Sequence, residues 1–200
     1  MSGYLHYFVL TFIPLFIVID AFGNLPFVIT MSEGMSNQER RRVVHLAVIT
    51  ATVVGLVFLF FGQFILNVMN IKVGEFAVAG GIILLMLSIY YMITGRMVEV
   101  NKQEMVAVVP IGTPLTVGPA TITTLLILAV QFPLYMVLVS FVLNMLATWV
   151  IFLLVEQIVR FTGKGGLRAI SRVFDLLLAA IAVSMILRGL ELVGIIKMAS

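Results

Sequence analysis

Asp20 lies inside the apolar segment Phe12 to Met31, FIPLFIVIDAFGNLPFVITM, just ahead of Gly23, Asn24 and Pro26. A carboxylate near the centre of a bilayer is costly and usually functional. It could hold a substrate ammonium, or take up and release a coupling proton. The plainer reading is a helix cap, because Asp and Asn both favour N-cap and turn positions. Gly23 and Asn24 permit left-handed backbone. Pro26 suits the first turn of a following half-helix. A simple kink would use these three residues too. The second half of the chain holds a counterpart, Val109 to Leu128, VPIGTPLTVGPATITTLLIL, broken at Gly118 and Pro119. If Pro119 opens a half-helix, the N–H groups of Ala120, Thr121 and Ile122 are free to bind an anion such as a carboxylate. Thr113, Thr116, Thr121, Thr123 and Thr124 crowd the region. Threonines in membrane helices often bond back to their own helix, so Thr116 and Thr121, nearest the break, are the better ligand candidates.

The elements that must position these residues follow from composition. The chain has 200 residues, 62% hydrophobic and 10% charged, with a mean hydropathy of +1.21. A soluble domain carries about a quarter charged residues, so this is a multi-pass, all-α membrane protein. There are no Cys and two His, His6 and His45, both near expected span ends. Thiolate metal sites, disulfides and haem or copper ligation are therefore not expected, nor is any cofactor. The start, MSGYLHYFVL, lacks a basic n-region, so it reads as the first span rather than a cleaved signal. A net charge of +3 spread over membrane loops is no nucleic-acid signal.

Apolar runs of about 20 residues mark spans. Six are expected, at Tyr4–Met31, Val43–Leu66, Glu75–Thr94, Val109–Val130, Leu134–Val155 and Ser171–Ile195. Loops one, three and five hold Arg40, Arg41, Arg42, Arg96, Lys102, Arg160, Lys164, Arg168 and Arg172, whereas the opposite side holds Lys72 and Lys197. Basic residues in short loops stay cytoplasmic, which puts both termini outside, periplasmic in a Gram-negative cell. The chain reads as a single membrane domain, 1–200, made of two three-helix repeats, 1–96 and 109–197. Each opens with an interrupted helix. An odd number of spans per half makes the second repeat inverted, and paired broken helices in such repeats point to a mid-depth transporter site.

Other polar residues read more plainly. Asn144 could line a cavity or make an interhelical bond. Arg188 could pair with Glu191 one turn on, or with Asp20. Glu75 and Asp175 sit in the first turns of their expected helices and complement the dipole. Gly80-Gly81 and the corresponding Ala179-Ala180 let helices approach closely. No P-loop, dinucleotide glycine motif or nucleophile elbow occurs, so no catalytic residue is assigned.

FIVIDAFGNLPF in the first half and PIGTPLTVGPATI in the second resemble the MarC family of bacterial and archaeal integral membrane proteins. The resemblance covers essentially the whole chain. Family members often have Gly after the Gly-Pro; here Ala120 adds a methyl where backbone would approach substrate. The resemblance implies, through the members called SnatA, a proton-driven transporter of small neutral amino acids, glycine and alanine, in the cytoplasmic membrane. A zwitterion needs an anion site and a cation site close together. The α-helical N-terminus after Gly118 would supply one, and Asp20 or half-helix carbonyls around Asp20 to Phe22 the other. The substrate-binding set is then Asp20, Gly23, Asn24, Thr116, Gly118, Pro119, Ala120 and Thr121. The rival readings are a scaffold or assembly subunit without flux, a carrier of another small solute and, less favoured for lack of charged rings or a filter sequence, a channel.

Overall fold

The computed structural model describes residues 2–25, 28–29, 35–94 and 116–196, and among these it contains helices and no strand. In chain order the helices are α1 (Ser2–Ile19), α2 (Asn37–Val68), α3 (Val73–Thr94), α4 (Pro119–Gln131), α5 (Leu134–Leu153) and α6 (Val155–Val193). Among the described residues four stretches are long and apolar enough to cross a bilayer: Asn37–Val68, Val73–Ile93, Leu134–Leu153 and Ala169–Val193. The apolar helices Tyr4–Ile19 and Ala120–Gln131 are shorter, and α4 at about 20 Å cannot alone cross about 30 Å of hydrocarbon. The interruption expected within Tyr4–Met31 begins where α1 stops, at Ile19. Residues 109–115, Arg96, Lys102 and Lys197 lie outside the described residues.

Local chemistry explains the other boundaries. α2 begins ahead of the apolar run because Ser36 and Glu39 form a capping box. The Ser36 N–H donates to Glu39 Oε2 at 2.8 Å, and the Glu39 N–H donates to Ser36 Oγ at 3.3 Å. Two helix donors are satisfied at once, so the basic turn Arg40–Arg42 stays helical. After α2 the chain reverses through Asn70, whose φ of 56° is left-handed, a conformation Asn tolerates better than most residues. Glu75 then accepts from the Lys72 N–H at 3.0 Å, a cap consistent with its expected place beside the α3 N-terminus.

The expected loop before the last span is instead helical. α6 starts at Val155 and is interrupted at Gly163, with φ 67° and ψ 170°, backbone that only glycine adopts cheaply. Before that break the helix is two-sided: Val155, Ile158 and Val159 join the core, while Glu156, Arg160 and Phe161 are exposed. Glu156 pairs with Arg40 of α2. The hydrogen bond from the guanidinium holds the Glu156 carboxyl below the usual carboxylate range.

α4 is the hub. From Ala120 to Leu128 all but Ile122 are buried, as expected of a helix apolar around its circumference. α2 gives it a seat at Gly62 against Leu126, and α3 does so at Gly80 against Thr123. α3 and α6 run antiparallel with their backbones touching. A Cβ on Gly189 would lie 2.7 Å from the Gly74 carbonyl oxygen, and one on Gly81 would lie 2.8 Å from that of Ala182. Gly80-Gly81 thus works as expected, but Gly80 meets Thr123 of α4 and Gly81 meets Ala182 of α6. Ala180 is exposed and Ala179 half-buried, because the face of α6 turned to α3 lies two residues further on. Outward faces carry Phe60, Phe64, Ile93, Leu146 and Leu176, each at least half exposed, the surface a lipid-embedded bundle presents.

Gly189→Ala is therefore expected to lower the unfolding midpoint in detergent. A backbone carbonyl cannot retreat as a side chain can, and the cost should be about 1–3 kcal/mol. Ile93→Ala, at an exposed position, serves as the control. Equal midpoints for Gly189→Ala and the parent chain would contradict the close approach.

Candidate functional site

At the first break the chain turns on two side chains that serve each other's helix. Asp20, immediately after α1, has φ 51°. That left-handed residue ends the helix, with its N–H still donating to Phe16 O at 3.2 Å. Its Oδ1 then accepts from the Gly23 N–H at 2.9 Å, while its carbonyl accepts from the Asn24 N–H at 3.1 Å. This is an N-cap for the next helical piece, which contains Leu25, Val28 and Ile29. Asn24 works in the opposite direction: its Nδ2 donates to the Ile19 carbonyl at 3.2 Å, capping the C-terminus of α1. Asp20 is 4% exposed, Gly23 is buried and Asn24 half-buried. Pro26 lies outside the described residues.

At the second break the approach is extended and the helix start is bare. Gly118 is the N-cap with φ −88° and ψ −173°, Pro119 follows in the first turn, and no side chain caps it. Thr121 Oγ1 donates to Thr116 O at 3.1 Å, pinning the incoming strand across the first turn. Ile122 N–H donates to Gly118 O at 3.1 Å, so it is not the free donor expected from the sequence. Pro119 has no N–H. Helix geometry then leaves Ala120 and Thr121 as the donors without intrahelical acceptors. They point where the helix dipole is positive. Among the described residues a Cβ built on Gly118 meets nothing within 4 Å, which leaves space beside this start. Thr116, Ala120 and Thr121 are all buried. Thr124 bonds across to Met185 Sδ at 3.7 Å rather than back to its own helix.

Both breaks belong to the same interior. Ile19, Ala21 and Leu25 from the first and Val117 from the second lie in one buried apolar cluster. Val18 and Ala120 lie together in another. α6 flanks the first break, with the Phe174 ring 5.4 Å from Phe22 and 6.2 Å from Phe16. Among the described residues no group of three His, Asp or Glu is placed to hold a metal ion.

The family model for MarC family integral membrane proteins matches residues 5–193. The chain belongs to the MarC family. It is 31% identical to a UPF0056 membrane protein of Methanocaldococcus jannaschii, over 94% of this chain and 97% of the relative. It is 30% identical to one of Archaeoglobus fulgidus, over 95% of each, and 30% identical to one of Buchnera aphidicola subsp. Baizongia pistaciae, over 90% and 94%. No solved structure matches the chain. This MarC chain is thus an integral multi-pass membrane protein.

Two sequence expectations change in this MarC fold, and one left open, that of Asn144, is decided. Asp175 is not in a first turn. It lies well inside α6, within the apolar stretch Ala169–Val193, and is 2% exposed. With Asp20 it is one of two buried carboxylates among the described residues. The signal was available: Asp175, Leu178, Ala182 and Met185 recur at helical spacing on one buried stripe. Arg188 pairs with neither Glu191 nor Asp20; it donates to Gln131 Oε1 at 3.1 Å, tying α6 to the end of α4. Asn144 makes the interhelical bond, donating to Phe12 O at 3.2 Å and Ser140 O at 2.8 Å. Beside it Thr11 and Ser140 share a 2.7 Å bond.

Two substitutions separate the cap from the charge. Asp20→Asn keeps an acceptor oxygen and tolerates the left-handed backbone, so its unfolding midpoint should stay close to the parent's. Asp20→Ala loses the cap and should cost about 1 kcal/mol or more. Both are checked by thermal unfolding in detergent; equal midpoints for the two would contradict the capping role.

Proposed function

We propose that this protein is a secondary transporter of small neutral amino acids, with glycine or alanine bound between the two helix breaks. The observation that carries the reading is the uncapped, buried start of α4 beside open space at Gly118, set in the same interior as the Asp20 turn. A substrate carboxylate would accept from the Ala120 and Thr121 N–H groups. The ammonium would face Asp20 and the carbonyl end of α1, where the dipole is negative. A zwitterion offers both charges, and a large side chain would meet the Ala120 methyl and the buried walls of Val18 and Val117.

Six spans in two inverted three-helix repeats complete the proposal. The four long helices supply four spans, and the interrupted first and fourth segments supply the rest. The halves would rock around the breaks to give alternating access. The basic residues of the first, third and fifth loops would lie in the cytoplasm, with both termini outside the inner membrane. A proton gradient would drive accumulation. No catalytic step is assigned, and the partners are the amino acid, the proton and lipid.

The reading is tested by uptake of labelled glycine and alanine into proteoliposomes. Saturable uptake, competed by unlabelled alanine and not by leucine, is expected. Absence of uptake by folded protein would move the reading to a scaffold, and uptake that never saturates would move it to a channel. Gly118→Val should melt like the parent, because its side chain enters open space. It should raise the KM for alanine by about tenfold or more, the scale on which small volume changes discriminate in a binding pocket. An unchanged KM would place the substrate elsewhere.

A further inference from the structure

We propose that Asp175, not Asp20, carries the coupling proton, and that Ser171, one turn earlier and without a hydrogen-bond partner among the described residues, bonds to it during the cycle. The inference rests on the transporter reading and adds a residue to it. Burying an ionised carboxylate in a membrane-spanning stretch is costly, and such residues commonly serve ion or proton movement. Asp175 meets that description at 2% exposure within Ala169–Val193. Ser171 is 5% exposed, and its Oγ is buried with no hydrogen-bond partner among the described residues. A buried hydroxyl left unsatisfied is uncommon and calls for an explanation, of which a functional role is one. At a spacing of four residues it lies on the same helical face as Asp175. It can donate to the carboxylate and accept from the carboxylic acid, so it suits a group that alternates between the two.

The position ties this pair to the breaks. Phe174 packs its ring edge-on against Phe16 at 6.2 Å and tilted against Phe22 at 5.4 Å, residues that precede and follow Asp20. The stripe that continues from Asp175 through Leu178, Ala182 and Met185 shares a buried cluster with Val18 of α1 and Ala120 of α4. The register with α3 adds a second hydroxyl. Gly74 faces Gly189 and Gly81 faces Ala182; one further step of the same size along both antiparallel helices brings Ser88 level with Asp175. Ser88 is fully buried, its hydroxyl donating to Leu84 O at 2.7 Å.

The surrounding titratable groups leave the assignment specific. α1 brings Asp20, whose Oδ1 holds the Gly23 N–H; a group that must hold the break in every state is poorly suited to a proton that comes and goes. α4 has no titratable side chain. On α3, Glu75 is exposed and caps its own helix, and Tyr90 and Tyr91 pack on each other at 6.1 Å. On α5, Tyr135 is exposed, as are Arg172, Arg188 and Glu191 on α6. The step itself is simple: the Asp175 carboxylate takes a proton from one side, substrate binds, the halves rock, and the proton leaves on the other.

The test compares the parent chain with Asp175→Asn, Asp175→Glu and Ser171→Ala in proteoliposomes, reading alanine exchange and alanine accumulation separately. With an imposed gradient of about one pH unit, one-to-one coupling supports about tenfold accumulation by the parent chain. Asp175→Asn is expected to exchange alanine more slowly, without pH dependence, and to accumulate none above equilibration. Asp175→Glu should recover accumulation, and Ser171→Ala should shift the pH of half-maximal uptake. Accumulation by Asp175→Asn equal to the parent's would overturn the assignment, as would complete loss of exchange in that variant when folded. If Asp175→Asn fails to fold, unchanged pH profiles in both other variants would overturn it. No exchange by the parent chain would remove the transporter reading, and this assignment with it.

Discussion

A chain that leaves the helix inside hydrocarbon must find a partner for each amide and carbonyl that the helix would have satisfied. Much of this structure follows from how that demand is met at two places. At the first, Asp20 and Asn24 exchange roles: the carboxylate caps the helix that follows, and the amide caps the helix that precedes. At the second, the chain enters through Thr116 and Gly118, and only part of the demand is met from within. Thr121 and Ile122 close bonds onto the approach, whereas Gly118 provides no cap. One break is self-contained. The other begins a helix that no side chain caps among the described residues. That difference gives the pair the direction of charge on which the proposed zwitterion site rests.

The remaining helices hold the breaks in one interior. α4 is short and buried, so it depends on its neighbours for position. Glycines on α2 and α3 let Leu126 and Thr123 seat against them. α3 and α6 close against each other at Gly74, Gly81 and Gly189 with carbonyl oxygens in the gap. Within lipid there is little hydrophobic drive between helices, so contact of this kind and interhelical hydrogen bonds carry association. The bonds of Asn144 to Phe12 O and of Thr11 to Ser140 do the same between α1 and α5. Their effect is to fix the level of α1, and therefore of Asp20, against the bundle.

The breaks were legible in the sequence because Gly, Asn and Pro cluster where a continuous helix would need none of them. The capping alternative for Asp20 was legible too, from the preference of Asp and Asn for such positions. What the sequence concealed was register. Asp175 looked like a dipole partner because the preceding Arg-rich stretch reads as a loop, and its helical course depends on burying Val155, Ile158 and Val159 against elements distant in the chain. The same shift turned Ala179-Ala180 away from α3 and put Ala182 there instead. Arg188 was drawn to Gln131, a residue on another helix that no local spacing could have indicated. Local chemistry determines where helices stop; which face they bury is decided by tertiary packing.

The central claim is that substrate occupies the space between the breaks. The chain has no Cys, so a single Ala120→Cys variant can be labelled at the α4 start with a small, membrane-impermeant thiol reagent. The account predicts that labelling occurs and that saturating alanine or glycine slows it, while leucine does not. An Ile93→Cys variant on the lipid-facing surface should show no such protection. Labelling of Ala120→Cys that is indifferent to saturating alanine and glycine would contradict the account.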